Sequence, residues 1–197
     1  MKYVTKEGSN KHLQIMLHGT GGSADDLFSI GEYIDADSTL VGIEGEVLEN
    51  GMRRYFERYP DGSFKLKSLA QATQKLEKTI TKILKDYPEY TVSLVGYSNG
   101  ANIALNLLKE YENIQIDNAL LFHPSPVRVD VPYLKQDRLK VLITSGKSDP
   151  FISESQFETL RDDLISANIN CEAFTHDYGH QLIQEELKAA VNFISEK

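Results

Sequence analysis

The chain has 197 residues, of which 41% are hydrophobic and 25% are charged, as expected for one globular domain spanning 1–197 rather than a disordered chain. Its 29 acidic and 21 basic side chains give a formal net charge of −8, which repels phosphate groups, so nucleic acid is not an expected partner. Cys171 is the only cysteine, which excludes an internal disulfide, and the lack of an apolar leader or of a run of about 18 apolar residues predicts a cytoplasmic protein without a membrane span.

Short runs rich in Val, Ile and Leu alternate with longer segments of helical period along the chain. This alternation is typical of an α/β domain in which a mostly parallel sheet of about six to seven strands is covered by helices on both faces. The predicted strands, in chain order, are 13–17, 39–43, 91–95, 118–122, 140–144 and 170–175.

Helices are predicted where apolar residues recur at a helical period. Two of them are expected to begin with a capping box, formed by Ser68 with Gln71 and by Ser153 with Gln156. Residues 45–67 show neither period and are predicted to form a long loop, of the kind that often borders a functional site. The predicted helices are 68–86, one that begins near Asn99, 153–167 and 181–195.

Ser98 lies in "TVSLVGYSNGANIAL", where an apolar strand runs directly into a helix rich in small residues. A serine between two glycines at such a turn is typical of a nucleophile elbow, and side chains at Gly96 or Gly100 would collide with neighbouring backbone. The alternative is that Ser98 only caps the following helix. A neighbouring base decides between the two, because a serine hydroxyl becomes a good nucleophile only when an imidazole removes its proton.

His180 is the best candidate for that base, since it follows the last predicted strand and precedes the last predicted helix. The chain order of this architecture, Ser then Asp or Glu then His, excludes His12 and His18 as the base. His176 stays open as a second choice. His123, at the end of strand 118–122, is expected near the site without titrating in the reaction.

The imidazole needs a carboxylate that fixes its tautomer, and Asp149 lies on the loop after strand 140–144. Taken alone, Asp149 would be an ordinary turn residue before Pro150. The loop "HGTGGSADD" after strand 13–17 is expected to supply the backbone N–H of Thr20 to an oxyanion hole, together with the N–H of Asn99. Its alternative is a phosphate-binding loop, but no Gly-Lys-Ser/Thr follows it.

Five segments that span nearly the whole chain carry a further signal: "LHGTGGSADDL", "NGMRRYFER", "VGYSNGANIA", "SGKSDPFIS" and "GHQL". In this order they resemble the α/β-hydrolase superfamily, and within it the small bacterial carboxylesterase/phospholipase family that includes acyl-protein thioesterase-like enzymes. The chain departs from larger relatives at two places: only a short segment precedes strand 13–17, so the sheet is expected to be shortened at its N-terminal edge, and 123–139 is only a short loop, so no lid domain is expected. The resemblance also implies Ser98 as nucleophile, Asp149 as acid, His180 as base, and the amides of Thr20 and Asn99 as oxyanion hole.

The segment "MRRYFER", 52–58, is expected at the rim of the site. Its aromatic residues would wall an acyl pocket and its arginines, Arg53 and Arg54, would attract an anionic group of the substrate. The alternative is a solvated loop with one aromatic side chain in the core, and both stay open. The candidate substrate-binding residues are Leu27, Phe28, Arg53, Tyr55, Phe56 and His123.

These patterns predict a serine carboxylesterase that hydrolyses small or short-to-medium-chain esters through an acyl-enzyme intermediate and needs no metal or cofactor. A thioesterase or lysophospholipase could use the same three side chains. From another class, the chain could be a hydrolase-fold module that binds a small ligand without turning it over. Its expected partner is a small-molecule ester, and assembly as a homodimer is compatible with the sequence.

Overall fold

The computed structural model describes residues 1–195, and this part of the chain contains nine strands and five helices. The helices are α1 (Phe28–Ile34), α2 (Leu66–Leu84), α3 (Asn99–Glu110), α4 (Glu154–Ser166) and α5 (Gln184–Ser195). The strands are β1 (Tyr3–Lys6), β2 (His12–Leu17), β3 (Thr39–Ile43), β4 (Val47–Glu49), β5 (Met52–Arg54), β6 (Thr91–Tyr97), β7 (Asn118–Phe122), β8 (Lys140–Gly146) and β9 (Asn170–His176).

Seven strands form the central sheet in the order β1-β3-β2-β6-β7-β8-β9, and β4 and β5 form a separate hairpin. β1 is antiparallel to β3, whereas all other neighbouring pairs of the central sheet are parallel. The carboxyl ends of the six parallel strands therefore meet at one edge. Because the strand order reverses between β2 and β6, the loops that leave these two strands lie at the topological switch point of the sheet.

Apolar side chains fill two core clusters, one on each face of the sheet. Strand residues alternate between them: Ile15 and Leu94 face the cluster under α2, α3 and α4, while Met16 and Val95 face the cluster under α1 and α5. The alternation follows from the period of two in a strand. Burial on both faces explains why these strands are continuous apolar runs in the sequence.

The predicted α/β fold with a mostly parallel sheet and helices on both faces is confirmed. Residues 123–139 connect β7 to β8 without a helix or strand, as expected for a fold without a lid domain. The capping box of Ser153 with Gln156 is present at the start of α4. The one predicted for Ser68 is wrong, because α2 begins earlier, at Leu66, and the Ser68 hydroxyl accepts the backbone N–H of Glu57 instead.

Four elements, β1, α1 and the strands β4 and β5, were not predicted. β1 has three exposed residues out of four, so it lacks the apolar run of a buried strand. α1 is only seven residues long and carries Gly31, which lowers helix propensity. The stretch 45–67 is not one long loop, since it contains the β4–β5 hairpin and the first residues of α2.

Within residues 1–195, no helix combines the length and the apolar character that crossing a membrane requires.

Candidate active site

The turn between β6 and α3 holds Ser98 in a strained backbone conformation. Its φ of 50° and ψ of −111° lie outside the regions that non-glycine residues ordinarily occupy. A Cβ atom on Gly96 would lie 2.8 Å from the nitrogen of Ala101, and one on Gly100 would lie 2.1 Å from the carbonyl oxygen of Leu17. Glycines on both sides of the serine therefore let the chain reverse and let α3 pack against the end of β2.

The hydroxyl of Ser98 faces an imidazole. Ser98 occupies the N-cap position of α3, but its side chain makes no capping hydrogen bond, so the helix-cap alternative is wrong. Its Oγ lies 2.9 Å from Nε2 of His180, and Nδ1 of His180 lies 2.7 Å from Oδ2 of Asp149. The structure thus brings together, in one chain of contacts, three side chains that are far apart in the sequence.

Asp149 is held as a carboxylate. Its side chain is buried, Oδ1 accepts the backbone N–H of Phe151 at 2.9 Å, and Oδ2 lies 3.0 Å from Nδ1 of a second histidine, His123. Burial alone raises the pKa of Asp149, but the hydrogen bonds from Phe151, His180 and His123 outweigh it and leave the pKa below its ordinary value. Asp149 is therefore ionised at neutral pH.

Two aromatic residues and a tight loop position His180. The Tyr97 hydroxyl donates a hydrogen bond to the His180 carbonyl oxygen at 2.7 Å, and the Phe151 ring lies edge-on to the imidazole with 4.7 Å between ring centroids. A Cβ atom on Gly146 would lie 2.1 Å from the carbonyl oxygen of Tyr178, so the loop before His180 packs directly on the end of β8. Neither aromatic residue was predicted, although Tyr97 directly precedes the serine in the elbow motif.

The backbone N–H groups of Thr20 and Asn99 donate to no acceptor in residues 1–195. Asn99 is the first residue of α3, so its N–H has no partner inside the helix. Thr20 lies in the loop after β2, which is tied to the hairpin because the N–H of Gly21 donates to the carbonyl of Arg53 at 2.8 Å. Both donors belong to the two loops at the switch point of the sheet.

His18 supports the shape of the loop after β2. The Gly45 N–H donates to His18 Nε2 at 3.0 Å, so Nδ1 carries the proton and donates to the carbonyl of Gly19 at 2.7 Å. Burial, the largest effect, lowers the pKa of His18 and favours this neutral form. His18 is thus a support of the loop that carries Thr20, a role that the sequence did not reveal.

Most of the apolar candidates for the substrate pocket pack in the core. Tyr55 and Phe56 are fully buried in the core, and the Tyr55 hydroxyl donates to the carbonyl of Ile43 at 2.6 Å. Leu27 is buried in the core cluster under α1, and Phe28 packs half-buried against the same cluster. These apolar residues pack in the core because the segments that carry them fold back over the sheet.

The two arginines expected to attract an anionic substrate group have other partners. Arg53 Nη1 lies 2.6 Å from Oε1 of Glu44, and the buried Arg54 has its Nε 3.2 Å from Oε2 of Glu49. Arg53 remains partly exposed at the rim, but its charge is neutralised there. These ion pairs offset the charge with which the two arginines were expected to attract an anionic group of the substrate.

The two histidines other than His180 that follow β6 lie behind the site. His123 is 1% exposed, so the prediction of a substrate contact is wrong for it. His176, the second choice for the base, has Nε2 3.4 Å from Oε2 of Glu186, and its Nδ1 accepts the N–H of Tyr178. Glu186 is a fully buried acid of α5 that was not predicted, because nothing in "QEEL" marks which acid turns inward.

The sheet, the strained serine and the loops at the switch point define a class of protein. A mostly parallel sheet covered on both faces, with a strand-to-helix elbow that presents a serine, is the α/β-hydrolase fold. The fold expected from the sequence resemblance is therefore confirmed.

Residues 51–193 match the model of the dienelactone hydrolase family, and the chain belongs to this family of the α/β-hydrolase superfamily. The protein MhqD of Bacillus subtilis (strain 168) is 38% identical over 200 residues, which cover 100% of this chain and 98% of the relative. The crystal structure of the Bacillus cereus carboxylesterase has a TM-score of 0.94 at 32% identity and covers 100% of this chain and 94% of that chain. SOBER1 from Arabidopsis thaliana, with a TM-score of 0.77 at 16% identity over 93% of this chain and 97% of that chain, shares the fold. The protein is thus a hydrolase with carboxylesterases among its structural neighbours.

Proposed function

We propose that the protein is a serine carboxylesterase that hydrolyses small or short-to-medium-chain esters through an acyl-enzyme. The observation that carries this proposal is the array at the strained β6–α3 elbow, where Ser98, at a φ of 50°, has its Oγ 2.9 Å from His180 Nε2 while His180 Nδ1 lies 2.7 Å from Asp149. The likeness to a Bacillus cereus carboxylesterase supports an ester as the bond that is cleaved.

In the proposed reaction, His180 Nε2 takes the hydroxyl proton of Ser98 while Oγ attacks the ester carbonyl carbon. The carbonyl oxygen becomes an oxyanion that accepts the free N–H groups of Thr20 and Asn99. The C–O bond of the ester then breaks, and the alcohol leaves with the proton from His180. Water, deprotonated by His180, attacks the acyl-Ser98 carbonyl, and the proton returns to Oγ as the carboxylic acid is released.

Asp149 selects the tautomer of His180 that can take the Ser98 proton. Its carboxylate accepts the Nδ1–H of His180, which leaves the lone pair of Nε2 free to face Ser98. The same carboxylate stabilises the imidazolium that forms when the proton is taken up. With the wrong tautomer, Nε2 would carry a hydrogen and could not act as the base.

The surroundings of Ser98 support substrates of modest size. The connection between β7 and β8 has no helix that could cover the site, and the Phe151 side chain, which packs against the His180 ring, is 59% exposed. Exposed aromatic surface at an open site suits short acyl or alcohol groups, which bury little area on binding. A cytoplasmic location and homodimer assembly stay predictions of the sequence.

The test compares Ser98→Ala with Ser93→Ala, since Ser93 also contacts a histidine, His12, at 2.8 Å. We expect Ser98→Ala to lose hydrolysis of p-nitrophenyl acetate and butyrate by on the order of 10⁴-fold or more, and to lose labelling by a fluorophosphonate. Ser93→Ala keeps both. Hydrolysis at the wild-type rate by Ser98→Ala contradicts the proposal.

A panel of substrates separates the remaining alternatives. Faster turnover of acyl thioesters or of lysophospholipids than of simple esters indicates a thioesterase or lysophospholipase that uses the same side chains. Stoichiometric labelling of Ser98 without steady-state turnover of any of these substrates indicates a binding module.

A further inference from the structure

A second buried histidine lies directly behind Asp149. His123 Nδ1 lies 3.0 Å from Oδ2 of Asp149, the same oxygen that His180 contacts, and its Nε2 lies 3.0 Å from Oε1 of Glu186. The side chains of His123, Asp149 and Glu186 are all 0% exposed. One imidazole therefore lies between two carboxylates in a water-excluded region.

Both carboxylates have further hydrogen bonds that stabilise their charged form. Asp149 accepts the N–H of Phe151, and Glu186 accepts the Thr144 hydroxyl and the N–H of Ile183. A neutral imidazole has one N–H, so it would set its other nitrogen lone pair against a carboxylate oxygen. An imidazolium instead places positive charge against both carboxylates, as a hydrogen bond to Asp149 and an ion pair with Glu186, and this charge state matches the two contacts.

One further observation agrees with a charged His123, and another shows that its position is imposed by the surrounding structure. Burial alone lowers its pKa, but the hydrogen bonds and charges of Glu186 and Asp149 outweigh burial and raise the pKa above its ordinary value. The backbone of His123 has a φ of 51°, which non-glycine residues seldom adopt, and its N–H is held by the carbonyl of Thr144 at 3.0 Å. Such strain persists only where the surrounding structure imposes it.

We propose that His123 is a positioning residue, an imidazolium held between Asp149 and Glu186 that sets the basicity of His180 by offsetting part of the carboxylate charge behind it. This inference rests on the proposed function and adds a determinant of its pH range. The rings of His123 and His180 are 5.1 Å apart between centroids, so a unit charge on one is felt strongly by the other. The titratable groups that face His123 are Asp149 from the β8–α4 loop, Glu186 from α5, His176 from β9, His180 from the loop before α5, and Tyr97 from β6.

The test compares the wild type with His123→Gln, Glu186→Gln and the double variant. For each protein, kcat/KM is measured as a function of pH, and the position of its acid limb is compared. This limb reports the pKa of His180, since only neutral His180 can take the Ser98 proton. His123→Gln leaves two buried anions without their cation, which stabilises charged His180, and the limb moves to higher pH by on the order of one unit. Glu186→Gln removes an anion, and the limb moves to lower pH. The double variant restores the wild-type net charge, and its limb returns close to the wild-type position.

Opposite shifts and their cancellation are not expected of a purely structural role, which would lower activity in every variant without this pattern. Shifts of both single variants in the same direction, or no shift, overturn the inference. Circular dichroism confirms that each variant is folded, and if His123→Gln unfolds, the isosteric Glu186→Gln still tests the inference by the direction of its shift.

A measurement on the unmodified protein is independent of turnover. Imidazole ¹⁵N NMR titration is expected to show both nitrogens of His123 protonated at pH 7 and a separate titration of His180. A neutral His123 at pH 7, or stoichiometric zinc bound by His123, His176 and Glu186 in the purified protein, overturns the inference. If the wild type lacks Ser98-dependent hydrolysis, the proposed function fails, while the NMR titration of His180 in the three variants still decides whether His123 sets its pKa.

Discussion

The side-chain contacts of the Ser98 site are repeated at the other end of the parallel strands, where their amino ends lie. There, His12 Nε2 lies 2.8 Å from Ser93 Oγ, and His12 Nδ1 lies 2.8 Å from Oδ2 of Asp35. The two sets of contacts have the same residue types and nearly the same distances. Three contacting side chains of the right types therefore do not define a hydrolytic site.

The backbone distinguishes the two arrangements. Ser93 lies inside β6, between β2 and β7, where its main chain belongs to the parallel ladders on both sides, and its side chain is fully buried. Ser98 is the first residue after β6, at a positive φ, and it is followed by Asn99, whose backbone N–H is unpaired. In the proposed reaction an ester reaches Ser98 and the proposed donors for its oxyanion, whereas the buried Ser93, paired on both sides in the sheet, offers neither access nor free donors.

The largest expected difference in catalytic activity is between His180→Ala and His12→Ala. Without an imidazole the Ser98 hydroxyl is not activated, so we expect kcat/KM of His180→Ala for p-nitrophenyl butyrate to fall by on the order of 10⁴-fold or more. His12→Ala keeps its activity and instead loses about 1–3 kcal/mol of stability, because Asp35 and Ser93 lose a hydrogen-bond partner. Urea unfolding and steady-state kinetics measure the two effects. A large loss of activity in His12→Ala, with the protein folded, would break the comparison.

Chain order and strand ends indicated the Ser98 arrangement in the sequence. The elbow motif around Ser98 and the positions of Asp149 and His180 after predicted strands placed all three at one edge, and the structure brings them into contact. The pairing of His12 with Ser93 could not be predicted, because it depends on the register of β2 against β6.

Other parts of the fold and of the site could not be predicted from the sequence, for physical reasons. Exposed edge strands such as β1 bury too little to require apolar residues, and an aromatic residue such as Tyr55 has the same pattern whether it walls a pocket or fills the core. Burial of Glu186 is decided by partners from β8 and the loop before α5, distant in sequence. Tertiary contacts, rather than local propensity, place such residues.

A smaller effect is expected from the elbow itself, with Gly100→Ala and Gly31→Ala as a matched pair. The added methyl at 100 would meet backbone atoms of β2, which cannot move without opening the sheet, so we expect a stability loss of about 2–4 kcal/mol and a fall in kcat/KM of on the order of 10²-fold. At Gly31 the nearest atoms are side-chain ends of Leu40 and Met16, which can shift. Gly31→Ala therefore keeps kcat/KM, and equal activity loss in both variants would contradict an elbow-specific role.

The smallest expected effect is on the pH dependence of stability. It concerns Asp35, the carboxylate that corresponds to Asp149 in the second set of contacts. Burial raises the pKa of Asp35, but hydrogen bonds from Asn10, His12 and the N–H of Asp37 outweigh it and leave the pKa below its ordinary value. A depressed pKa in the folded state stabilises the protein above the unfolded-state pKa, near 4, and this stabilisation is lost as the pH falls through the lower, folded-state pKa.

Asp35→Asn should therefore lose about 1 kcal/mol of stability at pH 7 and show a shallower decline in stability below about pH 4, with kcat/KM unchanged. Urea unfolding of both proteins at a series of pH values from 7 down to 3 measures the difference. Asp149→Asn, by contrast, should lose on the order of 10⁴-fold in kcat, because its amide favours the wrong tautomer of His180. Parallel stability curves for Asp35→Asn and the wild type would show that the Asp35 contacts contribute nothing to acid stability, and the hydroxyl, imidazole and carboxylate at the amino edge of the sheet would then be neighbours without energetic coupling.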